Sequence, residues 1–236
     1  KVLTLNLRNR LIFRAADEGD AAASAPIDPA APAWRRPGWI AAENAKPGTQ
    51  GWQLPDDKAM WDKVRGFASA TSVDVGQPVT LFVSSATAWS VRAFRIGYYG
   101  GIGAREVWRS EPKAGAVQPP ATIDKATGMR EAPWSPSLTA TTESWPPGMY
   151  LLKLESADGG STYVPLVVRD DASRAALVIQ SSVTTWQAYN DWGGANQYSG
   201  PGGGAGRGKV VSFDRPYNGN GSGEFFGREF ELAWFA

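Results

Sequence analysis

The stretch that decides the fold is Trp145–Ser156, WPPGMYLLKLES, in which a Pro-Pro-Gly turn leads directly into a strand carrying Tyr150 at its start. A tyrosine placed there resembles the tyrosine corner of immunoglobulin-like sandwiches, where the hydroxyl bonds back across the preceding turn. An ordinary strand tyrosine is the alternative. Outward from it the same grammar repeats. PVTLFVSS (78–85) puts Val79, Leu81 and Val83 on one face, and WSVRAFRIGYY (89–99) alternates Val91 and Ala93 with Arg92 and Phe94. The turn Asp74-Val75-Gly76-Gln77-Pro78 separates GFASATSV from the first of these, and YYGGIGARE makes a glycine-rich bend. Further runs are Leu138–Thr142, Met149–Glu155 and Tyr163–Arg169. Short runs at this spacing, punctuated by Pro and Gly, predict an antiparallel sandwich. The fold class is therefore mainly β, an immunoglobulin- or fibronectin-like antiparallel β-sandwich over residues 65–170.

After Asp170-Asp171 the pattern changes. AALVIQSS is a continuous apolar run, as expected of a strand buried on both faces of a parallel sheet. VTTWQAYNDWGG follows, and then a loop region in which 11 of the 27 glycines fall between Gly193 and Gly223. KVVSFD (209–214) resembles another short strand. EFELAWFA starts a helix whose apolar Phe230, Leu232, Trp234 and Phe235 need a partner, because about two turns are marginal alone. Residues 171–236 thus read as the truncated start of an α/β domain with a glycine-rich loop. At the other end, 1–37 is a tail and Ala/Pro-rich linker. Its Val2, Leu3, Leu5, Leu7, Leu11, Ile12 and Phe13 partly alternate, as in a strand or a short amphipathic piece, and it is no complete signal peptide. Residues 38–64 are an irregular lead-in, with a short helix in DDKAMW capped by Asp56 or Asp57.

Composition excludes more than it asserts. The 236 residues are 42% hydrophobic and 20% charged with a net charge of +1, which is globular and not polyanion-seeking. The small basic clusters Arg8/Arg10/Arg14 and Arg35/Arg36 make nucleic acid a poor partner. Zero cysteines remove disulfides, thiolate metal sites and cysteine nucleophiles. Zero histidines remove the Ser-His-Asp triad, the HExxH zinc site and a histidine general base. No window approaches the roughly 18 apolar residues of a membrane span, so the reading is a soluble protein, secreted or cytoplasmic. The 11 tryptophans raise carbohydrate stacking, although packing is the ordinary use of an indole.

Most chemical motifs fail on inspection. Gly101-x-Gly103 lacks a third glycine at the dinucleotide spacing, since position 106 is Glu, and Lys209 in SGPGGGAGRGK is followed by Val210, so neither matches a phosphate loop. Ser222 in GNGSG lacks the glycine two residues before it that a nucleophile elbow needs, and reads as a turn residue. Asp170, Asp171, Asp191, Asp214 and Glu224 offer acid–base chemistry in principle, but acids at strand ends are usually turn formers. The densest constellation is Ser181, Ser182, Thr184, Thr185, Trp186, Gln187, Tyr189, Asn190, Asp191 and Trp192, just past the expected strand, where open sheets gather ligands. Tyr189 and Asp191 are oxygen donors suited to a hard metal, with Trp186 and Trp192 as a ligand platform; loop packing is the bland alternative.

Several motifs in order then resemble one family. They are AENAKPGTQGWQ (42–53), GFASATSVDVGQPVTLFVS (66–84), FRIGYYGGIGAR (94–105), WPPGMYLLKL (145–154), YVPLVVRDD (163–171), VIQSSVTTWQAYNDWGG (178–194) and KVVSFDRPYNGNGSG (209–223). Together, over roughly 40–236, they look like relatives of the large (beta) subunit of N,N-dimethylformamidase. The resemblance implies a β-sandwich joined to an amidotransferase-like α/β domain, and hydrolysis of a small amide at iron held by two tyrosines and a glutamate. It places the first tyrosine at Tyr189, with Asn190 and Asp191 supporting it. The second position falls on Phe213, which cannot ligate, so Tyr217 four residues on is the substitute. The glutamate is expected beyond Ala236, so iron is not expected on these residues alone.

Two functional readings follow. The first is the N-terminal portion of a dimethylformamidase-like C–N hydrolase, with the sandwich as scaffold, a small amide as substrate, and another chain or downstream domain covering Phe230, Trp234 and Phe235. The second is a non-catalytic Trp-rich module that binds carbohydrate or a protein partner through Trp89, Trp108, Trp134 and Trp145.

Overall fold

A computed structural model describes residues 30–235, together with the backbone of the strand residues Val2–Leu3 and Ile12–Arg14. Expectations for the rest of 1–29 fall outside the described residues. The sandwich is built from β1 (Val64–Ala68), β2 (Ser72–Asp74), β3 (Pro78–Ser85), β4 (Trp89–Ile96), β5 (Ala104–Arg109), β6 (Leu138–Thr141), β7 (Gly148–Ser156) and β8 (Ser161–Arg169). One sheet has the order β6-β3-β1 and the other β2-β8-β7-β4-β5. All pairings are antiparallel except β2 with β8, which is parallel.

Alternation produced the first core. Val79, Leu81 and Val83 of β3 face Val91 and Ala93 of β4, Tyr150, Leu152 and Leu154 of β7, and Val164, Leu166 and Val168 of β8. Trp89 and Trp145 are buried in this same cluster, and Trp108 packs against Trp145 at 5.7 Å. Trp89 and Trp145 are therefore core residues and not a surface platform, which corrects that expectation. The Tyr150 hydroxyl donates to the Pro146 carbonyl at 2.6 Å, back across the Pro-Gly turn. This bond pins the entry of β7 to the turn, and burial pushes the hydroxyl's pKa up. Tyr150→Phe is expected to cost about 1–2 kcal/mol, because the Pro146 carbonyl loses its donor. Denaturant unfolding with an unchanged slope would measure it, and an unmoved midpoint would contradict the role given to the bond.

Burial along β4 and β7 then departs from alternation. Phe94, Arg95 and Ile96 are all buried, as is every residue from Tyr150 to Leu154. Both faces are covered there because a second core lies on the outer face of the five-stranded sheet. It joins Phe94, Ile96, Leu151 and Tyr163 to Trp52 of the lead-in and to Trp186, Tyr217 and Phe225. The lead-in itself holds α1 (Trp39–Asn44) and a short 3-10 turn, Lys58–Met60, whose cap Asp57 accepts from the Ala59 N–H at 3.0 Å.

Beyond Arg169 the chain forms α2 (Val183–Tyr189), α3 (Phe225–Arg228) and α4 (Phe230–Phe235), linked by loops. The helix expected at the C-terminal end is present. The buried parallel strand expected in AALVIQSS is not: only Leu177–Val178 is extended, it pairs antiparallel with Ile12–Phe13, and its side chains are 53% and 68% exposed. KVVSFD is no strand either, and Val210 and Phe213 lie at the surface. Apolar runs signal a demand for burial, and among the described residues no second layer covers these two. Among the described residues no helix is long and apolar enough to cross a membrane.

Candidate functional site

The polar constellation after the sandwich is carried by α2 and the loops that lie on the sheet's outer face. At the start of α2, the Glu229 carboxylate accepts from the Ser182 N–H at 2.8 Å and from its hydroxyl at 2.5 Å, placing a negative charge where the helix presents unpaired N–H groups. Trp186 anchors the helix to the second core, edge-on to Tyr217 and Phe225 at 6.1 and 6.3 Å. Its ring is buried, so it is an anchor and not a ligand platform.

At the other end of α2 sits a buried polar hub. Asn190 donates to Gln187 Oε1 at 3.1 Å and to the Pro216 carbonyl at 2.9 Å, and accepts from the Trp192 and Asn218 N–H groups, each at 3.1 Å. Every hydrogen-bonding site on this amide serves structure. Arg215, only 1% exposed, completes the hub. Its guanidinium donates to Gln187 Oε1 and to the carbonyls of Gln187, Asn190, Trp192 and Ala195, at 3.0–3.3 Å. Those acceptors include the last carbonyls of α2, the negative end of the helix, where a cation is favoured. Among the described residues no carboxylate pairs with Arg215, and burial pushes its pKa down to about 10. Sequence reading missed both Gln187's role and Arg215. An arginine in DRPY carries no local sign of burial.

The loop GNGSG docks on the edge of the sheet through backbone. The Asn220 carbonyl accepts from the Tyr163 N–H at 2.9 Å and the Thr162 hydroxyl at 3.0 Å. Gly221 has φ +81°, and a Cβ there would stand 2.2 Å from the Tyr163 carbonyl, so glycine is required for this approach. Ser222 bonds back to the Asn220 side chain at 2.6 Å and is a turn residue as expected.

The candidate metal ligands are placed in opposite surroundings. Tyr189 is exposed, stacked on Tyr198 with ring centroids 4.6 Å apart, and the Arg228 guanidinium lies 5.6 Å from its ring centre. Its hydrogen bond holds the Tyr198 hydroxyl above its ordinary pKa. Tyr217 is buried, and desolvation raises the pKa of its hydroxyl despite the opposing pull of the Gln187 side chain and the nearby charge of Arg215. No ring contact or hydrogen bond joins Tyr189 to Tyr217 among the described residues. Asp191 is exposed and supports neither. The residues present do not fit a mononuclear site of two phenolates and a carboxylate: one tyrosine faces a guanidinium and the other is sealed beside a cation.

The acids do not converge. Asp170 holds Arg35 through two bonds of 2.7 and 2.5 Å, Asp171 holds Arg169, and Glu224 pairs with Arg228. Asp214 is exposed, and among the described residues no three acidic side chains gather. Of the aromatic residues assigned to an outside partner, Phe230 is instead packed on Trp52 at 5.9 Å. Trp234 meets Tyr98 edge-on at 5.3 Å, and Phe235 remains 82% exposed. Trp134 and Trp192, half-buried, meet edge-on at 5.8 Å.

Compared with known proteins, residues 90–236 match a family model described as N,N-dimethylformamidase beta subunit-like, C-terminal. No curated protein matches the chain. Among solved structures, a cycloisomaltooligosaccharide glucanotransferase from Paenibacillus sp., complexed with cycloisomaltoheptaose, is 17% identical, with a TM-score of 0.28 over 45% of this chain and 14% of that one. At that score the likeness bears on neither fold nor function.

Proposed function

Because this chain belongs to the N,N-dimethylformamidase beta subunit-like family, we propose that it is part of a dimethylformamidase-like amide hydrolase, its sandwich acting as scaffold. The observation that carries this reading is the docking of the polar segment on the outer face of the five-stranded sheet. There Asn190 and Arg215 bind the TWQAYN and RPYN motifs into one body with the sandwich. The sheet order and the Tyr150 bond support an immunoglobulin-like assignment, and an amidotransferase-like α/β domain belongs to the same proposal.

The work of this chain's residues is positional. Glu229 and Arg215 neutralise the two ends of α2, and Tyr189 is left exposed at the end of that helix, stacked on Tyr198. The expected result is that the 236-residue chain alone releases no dimethylamine from N,N-dimethylformamide and retains only substoichiometric iron after dialysis. Turnover by this chain that is lost in Tyr189→Phe would overturn the scaffold reading. The rival reading, a module binding carbohydrate or protein through Trp89, Trp108, Trp134 and Trp145, loses two of those four rings, Trp89 and Trp145, to burial.

A further inference from the structure

Two Asn-Gly pairs, Asn218-Gly219 and Asn220-Gly221, stand side by side in the loop that docks on the sheet edge. Asparagine is a chemically labile residue, and a following glycine has no Cβ to crowd the approach of its nitrogen to the side-chain amide. By sequence the two pairs are equivalent. The fold makes them different.

Asn220-Gly221 is held at both groups that would react. The Asn220 side-chain oxygen accepts from the Ser222 N–H at 3.0 Å and from its hydroxyl at 2.6 Å. The Gly221 nitrogen, which would be the nucleophile, donates to the Asn218 carbonyl at 3.1 Å. Gly221 is also buried against Tyr163. Asn218-Gly219 is the reverse case. Both residues are exposed, Gly219 has φ +60°, and nothing lies within 4 Å of where its Cβ would stand. Arg65 donates to the Gly219 carbonyl at 2.6 Å, which holds the turn but leaves the nitrogen open. Among the described residues neither the Asn218 carboxamide nor the Gly219 N–H makes a hydrogen bond.

We infer that Asn218 is a deamidation site and that the fold protects Asn220. The Gly219 nitrogen gives up its proton and attacks Asn218 Cγ. A bond between them closes a succinimide ring, and Nδ2 leaves as ammonia with the proton. Water then opens the ring at one of its two carbonyl carbons. Cleavage of the bond to Cγ gives aspartate, and cleavage of the bond to the Asn218 main-chain carbonyl carbon gives isoaspartate. Either product adds a negative charge. Isoaspartate also routes the main chain through Cβ, lengthening it between two anchors. Those anchors are the Asn218 N–H, which donates to Asn190 Oδ1 at 3.1 Å, and the Asn220 carbonyl, which accepts from the Tyr163 N–H at 2.9 Å. The isoaspartyl form is thus expected to loosen the loop from β8. The inference stands apart from the family reading, since no part of it depends on a substrate.

The test incubates the folded 236-residue chain beside a sample kept unfolded in denaturant, in buffer alkaline enough for the unfolded sample to react. Peptide mapping with fragment sequencing locates each conversion. In the folded chain, conversion at Asn218 is expected to outrun that at Asn220 by on the order of tenfold, because Asn220 reacts only when the loop opens locally. In denaturant the two rates are expected to converge. Asn218→Gln, a change at an exposed side chain, is expected to abolish most of the acidic product of the folded chain. Equal or inverted rates in the folded chain, or no conversion at Asn218 while the unfolded sample reacts, overturn the inference. So does an acidic product that persists in Asn218→Gln. A preference that survives unfolding assigns it to local sequence and overturns the protection of Asn220.

Discussion

Arg215→Ala is expected to lower stability by about 3–5 kcal/mol, and the Tm by about 10 °C for a chain of this size. The side chain is one cation, but it serves five acceptors on residues 187–195, four of them backbone carbonyls. Alanine would leave those carbonyls buried without donors, and it would leave a gap where a long side chain had been. Arg215→Lys restores the charge but not the planar fork, so it should recover little of the loss. The damage is also expected to be local. Amide exchange should rise first between Gln187 and Ala195, while the β7 and β8 ladder keeps its protection. Variants that melt within about 2 °C of the parent would mean that the carbonyls find other donors.

The second large effect concerns Glu43, whose carboxylate is buried under the glycine-rich bend. It accepts from Lys46 Nζ at 2.6 Å, from the Tyr99 hydroxyl at 3.1 Å and from the Arg105 guanidinium. Arg95 donates in turn to Tyr99 at 2.9 Å and lies 5.1 Å from the Trp39 ring centre, closing a network that fastens α1 to the sheet. Tyr99 has φ +43°, a strained backbone that these contacts hold in place. Glu43→Ala is expected to cost about 2–4 kcal/mol, at the lower end for a buried ion pair because Lys46 reaches solvent.

The pH dependence has a definite sign. Burial alone would raise the Glu43 pKa, but the bonds from Lys46 and Arg105 outweigh it and hold it below the ordinary 4.5. Glu106 behaves likewise, held down by Arg109 and Arg92 against its own burial. The folded state therefore favours the charged forms. Their contribution is complete above the unfolded pKa and is lost as pH falls below about 4.5 through the folded values. The Tm gap between the parent and Glu43→Gln should thus be wide at pH 7 and shrink under acid. A gap that stays constant down to pH 3, well below the unfolded pKa, would sink the argument.

How much of this was legible varied by residue. Val79, Leu81 and Val83 announce a half-buried strand, and Tyr150 after Pro-Gly announces the turn it bonds across. The zero counts of cysteine and histidine exclude their chemistry without any structure. LVIQSS misled because an apolar run states a preference, while the layer that would satisfy it has to come from elsewhere. Trp89 and Trp145 read equally well as surface residues, because an indole in a short run looks the same whether the facing sheet covers it or not. Glu43 and Arg215 went unnoticed because a charged residue in a polar stretch reads as solvated. Their partners lie up to 62 and 28 positions away.

The sequence by itself determined the sandwich and its strands, since period-two alternation is a local property that each strand carries wherever it packs. It also determined the family, through ordered motifs that need no coordinates. Only the tertiary structure decided which face of the five-stranded sheet acquired a second core, and which tryptophans were sealed inside. It alone showed that the TWQAYN helix is held by an arginine that has no carboxylate partner among the described residues. Those outcomes depend on desolvation, and desolvation is set by whatever distant segment closes over a side chain: Trp52 from the lead-in and Phe225 from α3 meet on the same sheet face across most of the chain.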